Sequence, residues 1–300
     1  MAGDDLAPLF IVGAPRSGTS LLYKLLCLHP RAAWISNWAR RAPGVPAVVL
    51  LNRLAPRMPA TRRRTWFGSD GASAYVYGRP RALVERLFPM PVEGEPVYRH
   101  CGIGTGAAGV PERQTAALRR SFAAIRRWSD GDVLVSKRIG NNLRIPVLAE
   151  AFPRARFVHL VRDGRAVAYS LSRVNWWEDG VVWWYGGTPR RWREQGRDPW
   201  ELCALHWVQE LAVIQEGLAA VPAGRQLEVR YEQLIRAPVE TVRSTGAFAG
   251  LSPDPAWTAE LPRLRYPNKD EAWRERLPPE ARDVIEHIQR DDLRRLGHAV

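Results

Sequence analysis

Three hundred residues of 33.9 kDa, 46% hydrophobic and 25% charged with no low-complexity tract, make a globular chain and exclude a disordered tail, a collagen and a coiled coil. A chain of this length buries roughly 75% of its unfolded surface, so it needs no disulfide or metal staple. The formal net charge is +13, and it is spread unevenly.

No acidic residue lies between Leu6 and Ser69, a stretch that holds ten bases from Arg16 to Arg64. Such a field attracts an anion: a nucleic acid, an anionic membrane or a multiply phosphorylated small molecule. No apolar run approaches the roughly 18 residues of a membrane helix, and Asp4 and Asp5 stand where a secretory leader is basic. The expectation is a cytoplasmic chain with no integral membrane segment. Cys27, Cys101 and Cys203 have no paired spacing, and the six histidines include no metal-ligand pair beside a carboxylate. No disulfide framework and no metal are expected.

The first element is the apolar run Leu9–Val12, a buried strand closed by Gly13. Gly13-Ala14-Pro15-Arg16-Ser17-Gly18-Thr19-Ser20 follows, then a helix through Leu21–Leu26 that ends near Pro30. Residues 31–130 carry scattered Pro, Arg and Trp, with helices expected near Pro80–Leu87 and over Glu112–Trp128. Asp132–Ser136 reads as a second strand, Ile145–Phe152 as a helix and Arg156–Val161 as a third strand. Residues 173–200 form an insertion dense in tryptophan: Trp176, Trp177, Trp183, Trp184, Trp192 and Trp200. Aromatic rings here suit either a lid over an acceptor or plain cover for the sheet. Leu202–Ala220 is a helix, Gln226–Tyr231 a fourth strand, Val239–Ala249 a helix and Pro279–Leu296 a last charged helix. Strands alternating with helices give an α/β chain with a central parallel sheet flanked by helices. With no repeat and no linker, residues 1–300 read as one domain.

The strand, loop and helix at residues 9–26 make an anion site, because loop N–H groups and the helix dipole converge on one point. Gly13 and Gly18 keep the spacing of a nucleotide-triphosphate loop, but Thr19 stands where its lysine belongs. The cation has moved to Arg16, with the hydroxyls of Ser17, Thr19 and Ser20 around it and no residue placed to hold Mg²⁺. Downstream, Arg162 ends a strand where open sheets bind ligands, and Ser170 lies two turns into the next helix. Both could converge on one phosphate, with Arg165 nearby.

Together, Pro15-Arg16-Ser17-Gly18-Thr19, Arg162-Asp163 with Ser170, and Tyr231-Glu232-Gln233-Leu234 resemble the sulfotransferases that use PAPS (3′-phosphoadenosine 5′-phosphosulfate). The resemblance covers about residues 9–30, 132–173 and 226–251. It implies a P-loop-like fold, a 5′-phosphosulfate held by Arg16–Ser20, a 3′-phosphate held by Arg162 and Ser170, and an adenine near Tyr231. Gly164, Gln233 and Arg16 depart from patterns common in parts of the family, and none removes a phosphate contact.

The resemblance also implies in-line sulfuryl transfer, in which positioning and charge stabilisation dominate. Arg16 is the first cation for the leaving group and Lys137 the second, with Asn141 or Asn142 as an orienting amide. The acceptor hydroxyl needs a general base. The histidine of one branch is replaced in Lys137-Arg138-Ile139, and residues 31–69 hold no carboxylate. Glu93 is the first candidate, followed by Glu95 and His100. The implied acceptor is a small molecule, glycan or lipid, without nucleic acid and without metal. A kinase using ATP and a nucleic-acid binder using residues 16–64 are the competing readings.

Overall fold

The computed structural model describes residues 6–68, 86–106, 109–266, 268 and 271–299. Five strands form one sheet: β1 Leu9–Val12, β2 Ala32–Trp34, β3 Val133–Lys137, β4 Arg156–Val161 and β5 Gln226–Arg230. Their order is β2-β3-β1-β4-β5, and every neighbouring pair is parallel. β1 is central and buried on both faces, which is why it reads as an unbroken apolar run.

Alternation along β1 divides the core. Leu9 and Ile11 join Leu22, Leu25, Val135, Val158 and Leu160 on one face. Phe10 joins Phe122, Leu148, Phe152 and Phe157 on the other. The Phe10 ring lies 5.4 Å from Phe157, its register partner on β4, and 5.9 Å from Phe152. This aromatic cluster fixes where the C-terminal ends of β1 and β4 stand relative to each other.

Four strands and most of the helices placed from the sequence fall within a residue or two of their expected bounds, while the short helices Asn37–Arg41, Pro46–Leu54, Pro59–Phe67 and Glu95–His100 were not placed. β2 was not expected: a three-residue edge strand is too short to show a period amid Pro, Arg and Trp. β5 stops at Arg230, and Tyr231 instead opens the Tyr231–Arg236 helix. Of the helix expected near Pro80–Leu87, residues 80–85 lie outside the described residues. In the tryptophan-dense insertion, Trp177 and Trp192 are buried with Tyr169, Leu202, Trp273 and Ile285. These rings cover the flanking helices rather than the sheet. Trp176 and Trp183 stay exposed.

The basic stretch is partly absorbed by the fold. Lys24 is fully buried and donates to the Trp66 carbonyl at 2.5 Å. Arg62 pairs with Glu260 in the interior, and Arg31 bonds Asp130 at 3.0 Å and Asp132 at 2.7 Å. The acids it lacks come from distant parts of the chain. Among the described residues, no helix is long and apolar enough to cross a membrane, and no group of three acids, histidines or cysteines is placed to hold a metal.

Replacing Phe10 by Ala removes the ring at the centre of the aromatic cluster and is expected to cost about 3–5 kcal/mol. Urea denaturation of Phe10→Ala and Phe10→Leu checks this. An alanine variant as stable as the parent would contradict the packing described.

Candidate active site

Parallel strands deliver their loops to one edge of the sheet. Gly13–Ser20 follows β1, Lys137 ends β3, Arg162 follows β4 and Tyr231 follows β5. Ile11 pairs with Lys137, which places the first loop beside the end of β3.

The first loop is held from several sides. The Gly13 N–H donates to Asn142 Oδ1 at 3.2 Å, and Asn142 Nδ2 donates to the Gly13 carbonyl at 3.0 Å. The Ser17 N–H donates to the Ala14 carbonyl at 3.1 Å. Gly18 has φ 91°, and a Cβ there would lie 2.5 Å from the Tyr231 ring, so glycine is required twice over. The Thr19–Cys27 helix that begins here has no side-chain cap and no acid in its first turn. Its first N–H groups are therefore available to an anion. The Ser17 hydroxyl is buried and has no hydrogen-bond partner among the described residues. An uncapped helix end, an orphaned buried hydroxyl and an arginine suit a phosphate or a phosphosulfate.

Arg16 is the pivot. It takes φ 73°, a left-handed conformation that costs a non-glycine residue of order 1 kcal/mol. Two bonds hold it there: Arg162 Nη1 donates to the Arg16 carbonyl at 2.9 Å, and Arg16 Nε donates to Ser170 Oγ at 3.0 Å. The Arg162 guanidinium also sits 4.2 Å from the centre of the Tyr231 ring. Desolvation of the Arg16 guanidinium, then the nearby Arg162 charge, lower its pKa from the ordinary arginine value. Part of its surface still faces solvent.

Arg165 is not with this group. It is buried against Asp163, Glu286 at 2.8 Å and the Ala299 carbonyl at 2.9 Å, with Trp273 beneath it. Its donors are engaged by the C-terminal helix, the Ala299 carbonyl and its own loop.

On the side of β3, a cleft of about 630 Å³ is lined by Arg40, Pro43, Glu93, Glu95, Pro96, Arg99, His100 and Arg138. All three candidate bases line it. Their partners separate them. Glu95 accepts from Arg144 at 2.7 and 2.9 Å and from Arg138 at 3.0 Å. Burial works against its charge, but these guanidinium groups outweigh it and bring the carboxyl to about 2. Arg144 is itself fully buried over the Tyr98 ring. Glu95 is thus built into the wall of the cleft.

Glu93 bonds both Lys137 and Arg138. Burial again opposes the charge, and Lys137 and then Arg138 prevail to lower the carboxyl pKa. Lys137 is buried; desolvation, assisted by the Arg138 and Arg16 charges, outweighs Glu93 and lowers its pKa. Lys137 therefore lies within electrostatic reach of Arg16 while bonding Glu93, and so stands between the loop and the cleft. His100 lies at the cleft wall against Gly44.

Behind the first loop, sequence reading named Asn142 as an orienting amide but missed Glu210, which holds it. Asn142 Nδ2 also donates to Glu210 Oε2 at 2.6 Å, and Trp183 Nε1 donates to Glu210 Oε1 at 2.9 Å. His206 and Glu210, one turn apart on the buried side of the Pro199–Ala219 helix, were the available signal. Asn141 does something else: it donates to the Tyr98 hydroxyl at 3.0 Å.

A family profile described as "Sulfotransferase family" matches residues 8–255. Omega-hydroxy-beta-dihydromenaquinone-9 sulfotransferase Stf3 of Mycobacterium bovis is 26% identical over 281 residues, covering 88% of this chain and 67% of that one. Human carbohydrate sulfotransferase 5 is 31% identical over 320 residues, covering 92% and 74%. The crystal structure of sulfotransferase STF9 from Mycobacterium avium superposes with a TM-score of 0.60 at 15% identity, covering 98% of this chain and 78% of that chain. STF1 from Mycobacterium tuberculosis gives 0.57 at 16% identity over 94% and 77%. The fold is the P-loop-like fold of these enzymes, and membership of the family sets aside the ATP-kinase reading. The chain whose first loop, cleft and strand order are described above belongs to the sulfotransferase family.

Proposed function

We propose that the chain moves a sulfuryl group from PAPS to a hydroxyl of a small-molecule, glycan or lipid acceptor, without a metal ion. The contact that carries this reading is the 3.0 Å bond between Arg16 and Ser170, which brings the two anion-binding loops together. Arg16, the N–H groups of residues 17–20 and the hydroxyls of Ser17, Thr19 and Ser20 receive the 5′-phosphosulfate. Arg162 and Ser170 receive the 3′-phosphate, and Tyr231 packs near the adenine. PAPS supplies an activated sulfur whose bond to the phosphate oxygen breaks as the acceptor oxygen attacks in line.

Each side chain then has a task set by its place. Arg16 and Lys137 meet the negative charge that grows on the leaving phosphate oxygen. Glu93, kept ionised by Lys137 and Arg138, takes the proton of the acceptor hydroxyl. Glu95 holds the cleft wall through Arg138 and Arg144. His100 is kept as the alternative base, since it lines the same cleft. The two relatives named for omega-hydroxy-beta-dihydromenaquinone-9 and for carbohydrate support an alcohol acceptor. Residues 1–300 act as one domain in the cytoplasm, and residues 173–200 form a lid-like insertion whose exposed Trp176 and Trp183 meet the acceptor.

Adenosine 3′,5′-bisphosphate is expected to bind by calorimetry in the presence of a chelator. Arg16→Ala is expected to lower transfer by about 10²–10³-fold. Turnover at the parent rate in Arg16→Ala removes the proposed mechanism.

Glu93→Gln and Glu95→Gln should part company. The first is expected to lose about 10²–10⁴-fold in kcat while still binding the bisphosphate. The second acts on stability. A carboxyl pKa lowered in the folded state contributes stability that is complete above its unfolded value near 4.5 and drains away as pH falls toward about 2. The melting-temperature deficit of Glu95→Gln should therefore be largest near neutral pH and shrink across that window. A deficit constant with pH, or parent-like kcat in Glu93→Gln, assigns the two acids differently.

A further inference from the structure

The basic stretch keeps an outward face that the reaction does not use. Of the large apolar side chains exposed on the molecule, Val45, Leu50, Leu51, Leu54 and Met58 belong to one short segment. It comprises the 3-10 helix Pro46–Leu54 and the turns that carry it into the Pro59–Phe67 helix, where the Arg57 and Met58 N–H groups donate to Leu54 and Ala55. Val49, Asn52 and Ala55 turn inward and fasten the segment. In a 3-10 helix residues three apart share a row, so Val49 and Asn52 face inward together while Leu51 and Leu54 form an outer stripe, with Leu50 and Arg53 on the row beside it. Single exposed apolar residues are ordinary; five large ones within fourteen positions make a patch that calls for a partner.

The partner is marked by charge. Arg53, Arg57 and Arg64 are exposed beside the stripe, and Arg40 and Arg41 are exposed just before it. No acid occurs in residues 6–68 to balance them. Arg53 also reaches the carbonyl of Trp128, an exposed indole at the end of a helix that reads Arg126-Arg127-Trp128. Leucine, methionine and tryptophan ringed by arginines are the components of a surface that inserts shallowly at a lipid interface and is drawn there by anionic headgroups.

Its position adds a third observation. The segment begins at the mouth of the acceptor cleft: Arg40 and Pro43 line the cleft, and Gly44 lies against His100 at its wall. We propose that Val45–Met58 docks the protein on the surface of an anionic bilayer, with the cleft mouth facing the lipid. If the cleft is the acceptor site, as argued above, its acceptor is then a hydroxyl carried by a membrane-resident lipid that reaches Glu93 without leaving the bilayer. The docking stands without that reading, and the test separates the two.

The 300-residue chain is pelleted with vesicles of equal parts phosphatidylcholine and phosphatidylglycerol, and with phosphatidylcholine alone. Bisphosphate binding is measured in parallel to report on the fold and the donor site. Pelleting with the anionic vesicles only, weakened by salt, is expected. Leu50→Glu/Leu54→Glu should abolish it, and Arg53→Gln/Arg57→Gln should weaken it on the order of tenfold, with bisphosphate binding unchanged in both. Equal pelleting of the leucine variant overturns the proposal. So does a dimer in solution that Leu54→Glu dissociates, or retention of a DNA duplex in place of vesicles. Loss of bisphosphate binding in the parent, with pelleting intact, would instead count against the donor site alone.

Discussion

Everything at the C-terminal edge of the sheet depends on how Arg16 is held. Its backbone sits in a region that side chains avoid, at the third position of the turn closed by the Ser17 N–H on the Ala14 carbonyl. Further support comes from the other half of the sheet: Arg162 donates to its carbonyl and Ser170 accepts its Nε hydrogen. Tyr231, from a third strand end, fills the space that Gly18 leaves open and lies under Arg162. Three loops from β1, β4 and β5 thus fix one another through one residue. Strain at such a position persists only when several partners over-determine it. The arrangement also suits the site to an anion, because it brings two guanidinium groups together and, among the described residues, no acid bonds Arg16.

The arginine excess follows a consistent rule. Where an arginine or lysine from the acid-free stretch is buried, it is matched by a carbonyl or by an acid from far along the chain, as with Lys24 and Trp66 or Arg62 and Glu260. In the cleft the same rule runs in reverse. Glu93 and Glu95 arrive as two acids and are met by Lys137, Arg138 and Arg144. Buried ions without partners would be prohibitively costly, and both acids are paired. Glu95 meets Arg138, Arg144 and the exposed Arg99. Glu93 bonds Arg138 and Lys137, and the Lys137 ammonium in turn feels the Arg16 charge, so the cleft and the first loop are linked electrostatically.

Donor-side elements were legible because each is a strand end followed by a turn with its own residue signature. Leu9–Val12, Gly13, Arg16 and Gly18 announce themselves locally, and Arg162 with Ser170 does so at a fixed spacing. The cleft had no such grammar. Glu93, Glu95 and His100 were named only as the nearest acids and histidine, and nothing local distinguishes Glu95, whose partner Arg144 lies 49 residues on. β2 and Glu210 stayed hidden for related reasons: one is too short to carry a period, and the other is a lone acid on a helix face. Arg165 has its donors turned to Asp163 and Glu286, partners that its place in the sequence does not announce.

The tether behind the first loop shows how a buried carboxyl can serve an anion site without opposing it. Asn142 clamps both polar groups of Gly13 and is itself held by Glu210, which also receives Trp183 from the tryptophan-dense insertion. An ionised acid there would set a negative charge one amide away from the loop that must attract one. Burial pushes the Glu210 carboxyl up, against the hydrogen bonds from Asn142 and Trp183 that favour its charge. Burial also takes the adjacent His206 down to about 4, so it adds no positive charge near neutral pH. With its charge disfavoured in this way, the tether transmits position more than field. The insertion is thereby connected mechanically to the Gly13–Gly18 turn, and the positive potential of the loop is left to Arg16, Arg162 and the helix end.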